Sequence, residues 1–153
     1  MEKENVPVVT TIMGKGAVPT THPLYIGNCG MHGKYAANMA VMECDLLFSI
    51  GTRFNDRITG DLNEFAPHAQ IVHIDVDTAS ISRNVVVDVP VVADAGVALE
   101  KLLEWAEKKD TAKWQEQIHR WEKENPLAMR RDRGISPQMI MEHINAQFPP
   151  VSY

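Results

Sequence analysis

The chain has 153 residues, 44% of them apolar and 23% charged, as in an ordinary globular domain rather than a disordered or fibrous chain. Its 15 Lys and Arg against 20 Asp and Glu leave a net charge of −5; no basic stripe is available for nucleic-acid phosphates, and no apolar run reaches the ~18 residues of a membrane span. The two cysteines, Cys29 and Cys44, lie outside any CxxC spacing, which points to a reduced, cytoplasmic setting where both are small packing residues.

The opening MEKENVPVV is acidic and polar, unlike a secretory signal. Val6–Ile12 is β-branched and apolar and reads as a buried strand. From Gly14 to Gly33 glycines and prolines cluster without periodicity, so the stretch reads as one long loop; such loops in compact domains usually carry function. Tyr35–Cys44 sets Ala36, Met39, Ala40 and Glu43 at helical spacing. Asp45–Gly51 (DLLFSIG) and Gln70–Asp75 (QIVHID) are short apolar strands, and Val85–Val92 adds one or two more around Asp88 and Pro90. Strands alternating with helical stretches predict an α/β fold: a mostly parallel open sheet flanked by helices, Rossmann-like in plan.

Beyond Asp94 the pattern turns helical. Ala95–Lys109 aligns Ala98, Leu99, Leu102, Leu103 and Ala106 on one face. Asp110–Glu124 spaces Trp114, Ile118 and Trp121 by four and three, and Pro126 stops it. Trp105, Trp114 and Trp121 read as core or domain contacts rather than a partner surface. Arg130–Gly134 reads as a linker. Ser136 followed by Pro137 forms an N-cap and a first-turn proline for a helix over Gln138–Phe148. Its Ile140, Met141, Ile144 and Phe148 have little in this chain to bury against, as if another domain opened here.

Open parallel sheets bind ligands beyond the carboxyl ends of their strands. The residues just past the predicted strands are Thr10, Thr11, Met13, Gly14 and Gly16; then Gly51 through Arg57; then Asp75, Val76 and Asp77; then Asp94. Glycines admit backbone N–H groups to a pyrophosphate, arginines add charge-assisted hydrogen bonds, and an acid at a strand end accepts a ribose hydroxyl. The set suits a nucleotide, yet neither GxGxxG nor GxxxxGK[ST] is present. Gly27, Gly30 and Gly33 form GxxGxxG, which turn chemistry alone also explains. His22, His32, His68, His73, His119 and His143 show no metal-ligand spacing. His32 sits in a Gly-Met-His-Gly loop that exposes both central side chains, while His73, inside a strand, reads as a satisfied core histidine. Ser49, Cys29 and Cys44 have no neighbouring base for nucleophilic catalysis. The residues themselves describe a ligand platform without a catalytic group.

Read in order, VVTTIMGKGAVPTTHPLYIGNCGMHG, YAANMAVMECDLLFSIGTRFNDRITG, FAPHAQIVHIDVD and VPVVADA resemble the central domain of acetolactate (acetohydroxyacid) synthases. The resemblance is dense from Val8 to about Leu103, and ISPQMIMEHINAQFP is similar to the start of the family's thiamine-diphosphate domain. It implies a three-domain subunit of which residues 1–109 are a truncated FAD-binding domain, 110–134 a helical linker and 135–153 the incomplete start of the next domain. The family decarboxylates pyruvate and joins the two-carbon unit to a second 2-ketoacid, toward branched-chain amino acids. Its first domain supplies a catalytic glutamate, its third holds thiamine diphosphate and Mg2+, and its middle domain holds an FAD that does no net redox work. A homo-oligomer with a regulatory small subunit is implied.

Carried over residue by residue, the resemblance sets FAD near Thr11, Ile12 and Met13, then Cys29, Gly30, Met31 and His32. Gly51, Thr52, Arg53, Asn55, Arg57 and Ile58 follow. Asp75 and Val76 approach the adenosine end, and Asp94 adds a polar contact. Met31 and Arg57 face the substrate entrance, where a guanidinium fork matches a ketoacid carboxylate; Asp56 and Arg57 are implied inhibitor contacts. Three positions depart from the family pattern: Asn55 for an acid, Cys29 for a leucine and Ala93 for a glycine. The family's domain also has a strand, a glycine-rich turn and a helix ahead of the position of Val6. The chain alone is therefore expected to lack synthase activity and to bind FAD weakly or not at all. Two other readings stay open: another thiamine-diphosphate carboligase or oxidase, and a non-catalytic nucleotide-binding module.

Overall fold

A computed structural model describes residues 1–127 and 134–148. In chain order it contains β1 (Val8–Thr10), β2 (Tyr25–Asn28), α1 (Tyr35–Met42), β3 (Leu46–Ile50), α2 (Asp56–Thr59), β4 (Gln70–Asp75), β5 (Val89–Val92), α3 (Ala95–Trp105), α4 (Ala112–Glu124) and α5 (Pro137–Gln147). All strand pairs are parallel. They form two sheets, β1-β2 and β3-β4-β5, flanked by helices as the α/β reading requires.

One strand was not expected. β2 lies inside the stretch read as a continuous loop, where Gly27 and the neighbouring prolines hide a four-residue strand. Its register with β1 shifts between Val8 and Val9, an irregularity that interrupts any clean alternation. α2 is a single turn within the loop after β3, too short to show a helical period. Most of the stretch read as a linker lies outside the described residues.

β4 is the middle strand of its sheet and is buried through Ile71, His73 and Ile74. One apolar cluster joins Val41 of α1, Phe54, Phe65, Ala66 and Ile71 under this sheet. A second joins Ile26, Ala36, Ala37, Ala40 and Ile118, with Trp114 and Trp121 packed against it. The small side chains of α1 let α4 approach closely, so α4 is docked on the sheet layer through α1 rather than standing free. Trp114 and Trp121 meet edge to face at 5.6 Å, the core contact expected of them. Trp105 is not in the core: it ends α3 and is 81% exposed.

α3 stops at Trp105, and only its Ala98 is buried. Asp94 starts it by accepting the backbone N–H groups of Gly96 and Val97 at 2.9 and 3.2 Å, which satisfies two amides that a helix start otherwise leaves without partners. α5 begins as the Ser136–Pro137 pair predicts, with Ser136 Oγ accepting from the Met139 N–H at 3.2 Å. None of its residues is buried.

Because Ala37 has no exposed surface at the α1–α4 junction, Ala37→Leu is expected to overpack it and lower unfolding stability by about 1–3 kcal/mol, read from the urea midpoint.

Candidate functional site

The loop after β2 and the loop after β3 meet over the C-terminal part of α1. Three contacts build this junction. Asn38, on α1, grips Gly30 from both sides: its Oδ1 accepts the Gly30 N–H at 2.7 Å and its Nδ2 donates to the Gly30 carbonyl at 3.0 Å. The Met31 N–H donates to the Arg57 carbonyl at 2.8 Å. The Arg57 guanidinium lies 3.6 Å from the Met31 sulfur. Gly30 has φ of +101°, and a Cβ there would come within 2.6 Å of the Arg57 carbonyl oxygen. Only glycine fits both the conformation and the approach. Gly33 is also tight, because a Cβ would run into the Asn28 carbonyl.

These loops wall an open cleft of about 370 Å³ together with Val41, Met42 and Phe65, within the size range of small-molecule sites. Of the residues singled out in the sequence, Cys29, Gly30, Met31, Asp56, Arg57 and Ile58 line it. Met31 and Arg57 are exposed, and Asp56 Oδ2 is 4.0 Å from Arg57 Nε. A solvent-facing pair at that distance holds the guanidinium only loosely.

The remaining candidates lie outside this cleft. Thr11 is engaged locally, accepting the Gly14 N–H on both its hydroxyl and its carbonyl, while Ile12 and Met13 point outward, Met13 being 91% exposed. His32 is exposed. Gly51 has φ of +61° with open space where a Cβ would stand, and its N–H donates to Ile74, tying the loop after β3 to β4. Arg53 and Asn55 are exposed. Asp75 closes β4, and its Oδ1 accepts the Asp77 N–H at 2.8 Å; Val76 is exposed beside it. Asp94, expected as a polar ligand contact, commits one carboxylate oxygen to capping α3.

Two residues that sequence reasoning missed hold these loops. Asn38 stands among the small apolar residues of YAANMAVM, and a lone amide on such a helix was the available signal. Asn84 Nδ2 donates to the carbonyls of Arg53 and Phe54 at 3.0 and 3.1 Å. The bonds brace Phe54, a buried non-glycine residue at φ of +46°, a conformation that costs about 1–2 kcal/mol. Nothing in the sequence near Asn84 announces that role.

The expectation of a satisfied histidine at position 73 does not hold. His73 is fully buried, but neither ring nitrogen has a hydrogen-bond partner. Its ring meets Phe54 edge to face at 5.1 Å, and Nε2 lies 3.7 Å from Asp75 Oδ2, beyond hydrogen-bond reach. The Thr52 hydroxyl is likewise buried and unpartnered. Such groups carry a desolvation cost of about 1–3 kcal/mol each, and both lie at the C-terminal end of the three-stranded sheet.

Electrostatics separates acids from thiols. The Ala79 N–H and the Ser80 hydroxyl hold the Asp77 carboxyl below its usual range, with Arg53 and Arg83 adding to the effect. Burial raises the Cys29 thiol; burial and then Asp45 push Cys44 up to about 11. Both thiols stay protonated near neutral pH, which suits packing rather than nucleophilic attack. No cluster of three or more potential metal ligands occurs among the described residues.

The family profile "Thiamine pyrophosphate enzyme, central domain" matches residues 1–102. The chain belongs to that family. This central domain is 48% identical over 143 residues to the probable acetolactate synthase large subunit of Methanocaldococcus jannaschii, covering 91% of the chain and 24% of the relative. It is 42% identical over 148 residues to the acetolactate synthase large subunit of Cyanidium caldarium, covering 92% and 25%. The Buchnera aphidicola large subunit is 40% identical over 146 residues, covering 92% and 26%. The chain therefore spans about a quarter of the length of these relatives.

In this central domain the Gly30–Arg57 approach makes the junction sensitive to one added carbon. Gly30→Ala is expected to separate the two loops and cost about 1–3 kcal/mol, with faster amide exchange at Met31, whose N–H loses the Arg57 carbonyl.

Proposed function

We propose that this chain is the central domain of an acetolactate synthase large subunit, that its rim binds FAD, and that Met31 and Arg57 form part of a 2-ketoacid entrance. The observation that carries the reading is the Met31–Arg57 pairing. A backbone hydrogen bond and a sulfur–guanidinium contact hold Arg57 on the cleft wall while its charged fork faces solvent. A planar guanidinium in that state can take a carboxylate with two parallel hydrogen bonds. The relatives' shared name supports the same assignment.

The residues present fit a flavin dinucleotide. Gly51 leaves open space for a pyrophosphate, Arg53 supplies exposed positive charge, and the buried Thr52 hydroxyl lacks a partner that a ligand could provide. Asp75 ends its strand where a ribose hydroxyl would be read. Cys29, Gly30 and His32 on one loop, Asn55 and Ile58 on the other, and Thr11–Met13, Val76 and Asp94 around the rim complete the set. FAD serves as a structural cofactor in this reading, without net redox turnover.

Residues 1–109 are assigned to this domain, 110–134 to a linker that carries α4 and 135–153 to the start of the next. The parent decarboxylates pyruvate and transfers the two-carbon unit to pyruvate or 2-ketobutyrate. Thiamine diphosphate with Mg2+, held by other domains, supplies the electron sink for decarboxylation. This chain binds and orients: it contributes no general base or nucleophile. The proposed partners are the other domains, further copies of the subunit and a regulatory small subunit, in the cytoplasm. No helix among the described residues is long and apolar enough to cross a membrane.

In the full subunit, Arg53→Ala is expected to weaken FAD binding by about tenfold, the worth of one charge-assisted hydrogen bond, followed by flavin fluorescence. A wild-type subunit that takes up no FAD overturns the cofactor assignment. Arg57→Ala, compared per FAD-loaded subunit, should change the ratio of the two acceptor ketoacids in competition; an unchanged ratio removes Arg57 from the entrance.

A further inference from the structure

Resting on the FAD reading above, we infer that His73 is a positioning residue for Asp75: its buried imidazole sets the orientation in which the Asp75 carboxylate accepts a ribose hydroxyl. The two residues are two apart on β4 and project from the same face. Asp75 is the last residue of that strand, and its side chain is 10% exposed. One of its oxygens, Oδ1, is taken by the Asp77 N–H at 2.8 Å. The other, Oδ2, is 3.7 Å from His73 Nε2. That gap is a few tenths of an ångström beyond a hydrogen bond, and contacts of this kind in ligand-free sites tighten when the ligand arrives.

A packing role alone does not account for the imidazole. The edge contact with Phe54 at 5.1 Å is one that a phenyl ring makes equally well. A phenyl ring would also remove two buried nitrogens that have no hydrogen-bond partner. What histidine adds at this position is a ring nitrogen 3.7 Å from the carboxylate that ends the strand. The Nε2–H tautomer presents a donor to Asp75 Oδ2, leaving the oxygen's remaining lone pair for a ligand hydroxyl. Ser49, opposite His73 on β3, is buried as well.

The test uses the full subunit and FAD itself, with affinity read by flavin fluorescence and folding checked by thermal melting without FAD. His73→Phe is expected to melt at or above the wild-type temperature and to bind FAD about tenfold more weakly. His73→Gln, which keeps a donor near the Nε2 position, restores most of the affinity. Combining His73→Phe with Asp75→Asn weakens binding no further than Asp75→Asn alone, because the histidine acts through the carboxylate. Wild-type affinity in His73→Phe, full additivity in the double variant, or equal losses in the Phe and Gln variants each overturn the inference while leaving the FAD site standing. A wild-type subunit that does not bind FAD overturns the site reading and this inference together.

Discussion

The Asn38 carboxamide holds both polar groups of Gly30, and the geometry of the cleft follows from that grip. A helix side chain thereby fixes the backbone of a loop that has no regular structure of its own. Gly30, locked at positive φ, can then lie against the Arg57 carbonyl, and the next residue donates its N–H to the same oxygen. The loops after β2 and β3 become one wall. If the amide were lost, two buried backbone groups would lose their partners together, and such deficits are costly in a partly buried setting.

The rim of the three-stranded sheet shows the opposite economy. Phe54 is held in a left-handed conformation, with Asn84 bracing its carbonyl. The Thr52 hydroxyl and both His73 ring nitrogens are buried without hydrogen-bond partners. Strain and unmet polarity gather in the loop after β3 and on the neighbouring β4, toward the end where an open parallel sheet accepts ligands. Elsewhere the core is ordinary: small side chains between α1 and α4, and Val41, Phe54, Phe65 and Ile71 under the sheet. Stability comes from the apolar clusters, and the strained, unpartnered groups of the rim withdraw part of it.

The strands at DLLFSIG and QIVHID were legible because each is a short apolar run bounded by a turn residue or an acid. The Ser136–Pro137 helix start was legible because the N-cap bond and the proline are local, decided within four residues. β2 was not. Four residues around Gly27 carry too little pattern, and their pairing with β1 depends on partners 17 or 18 positions away (Val8 with Tyr25, Thr10 with Asn28). The role of Asp94 was half legible: its position at a strand end was visible, but its use as the cap of α3 depends on where the helix turns.

The order of glycines, arginines and acids past the strand ends and the membership of the family were contained in the sequence, because each is a matter of residue type and local spacing. Only the tertiary structure decided which of those residues meet. Met31 and Arg57 are 26 positions apart, and Asn84 reaches back 31 and 30 positions to Arg53 and Phe54. Whether His73 would find a partner also lay beyond composition. Burial is a property of what closes around a side chain, and a hydrogen bond fails over a few tenths of an ångström that no spacing rule records.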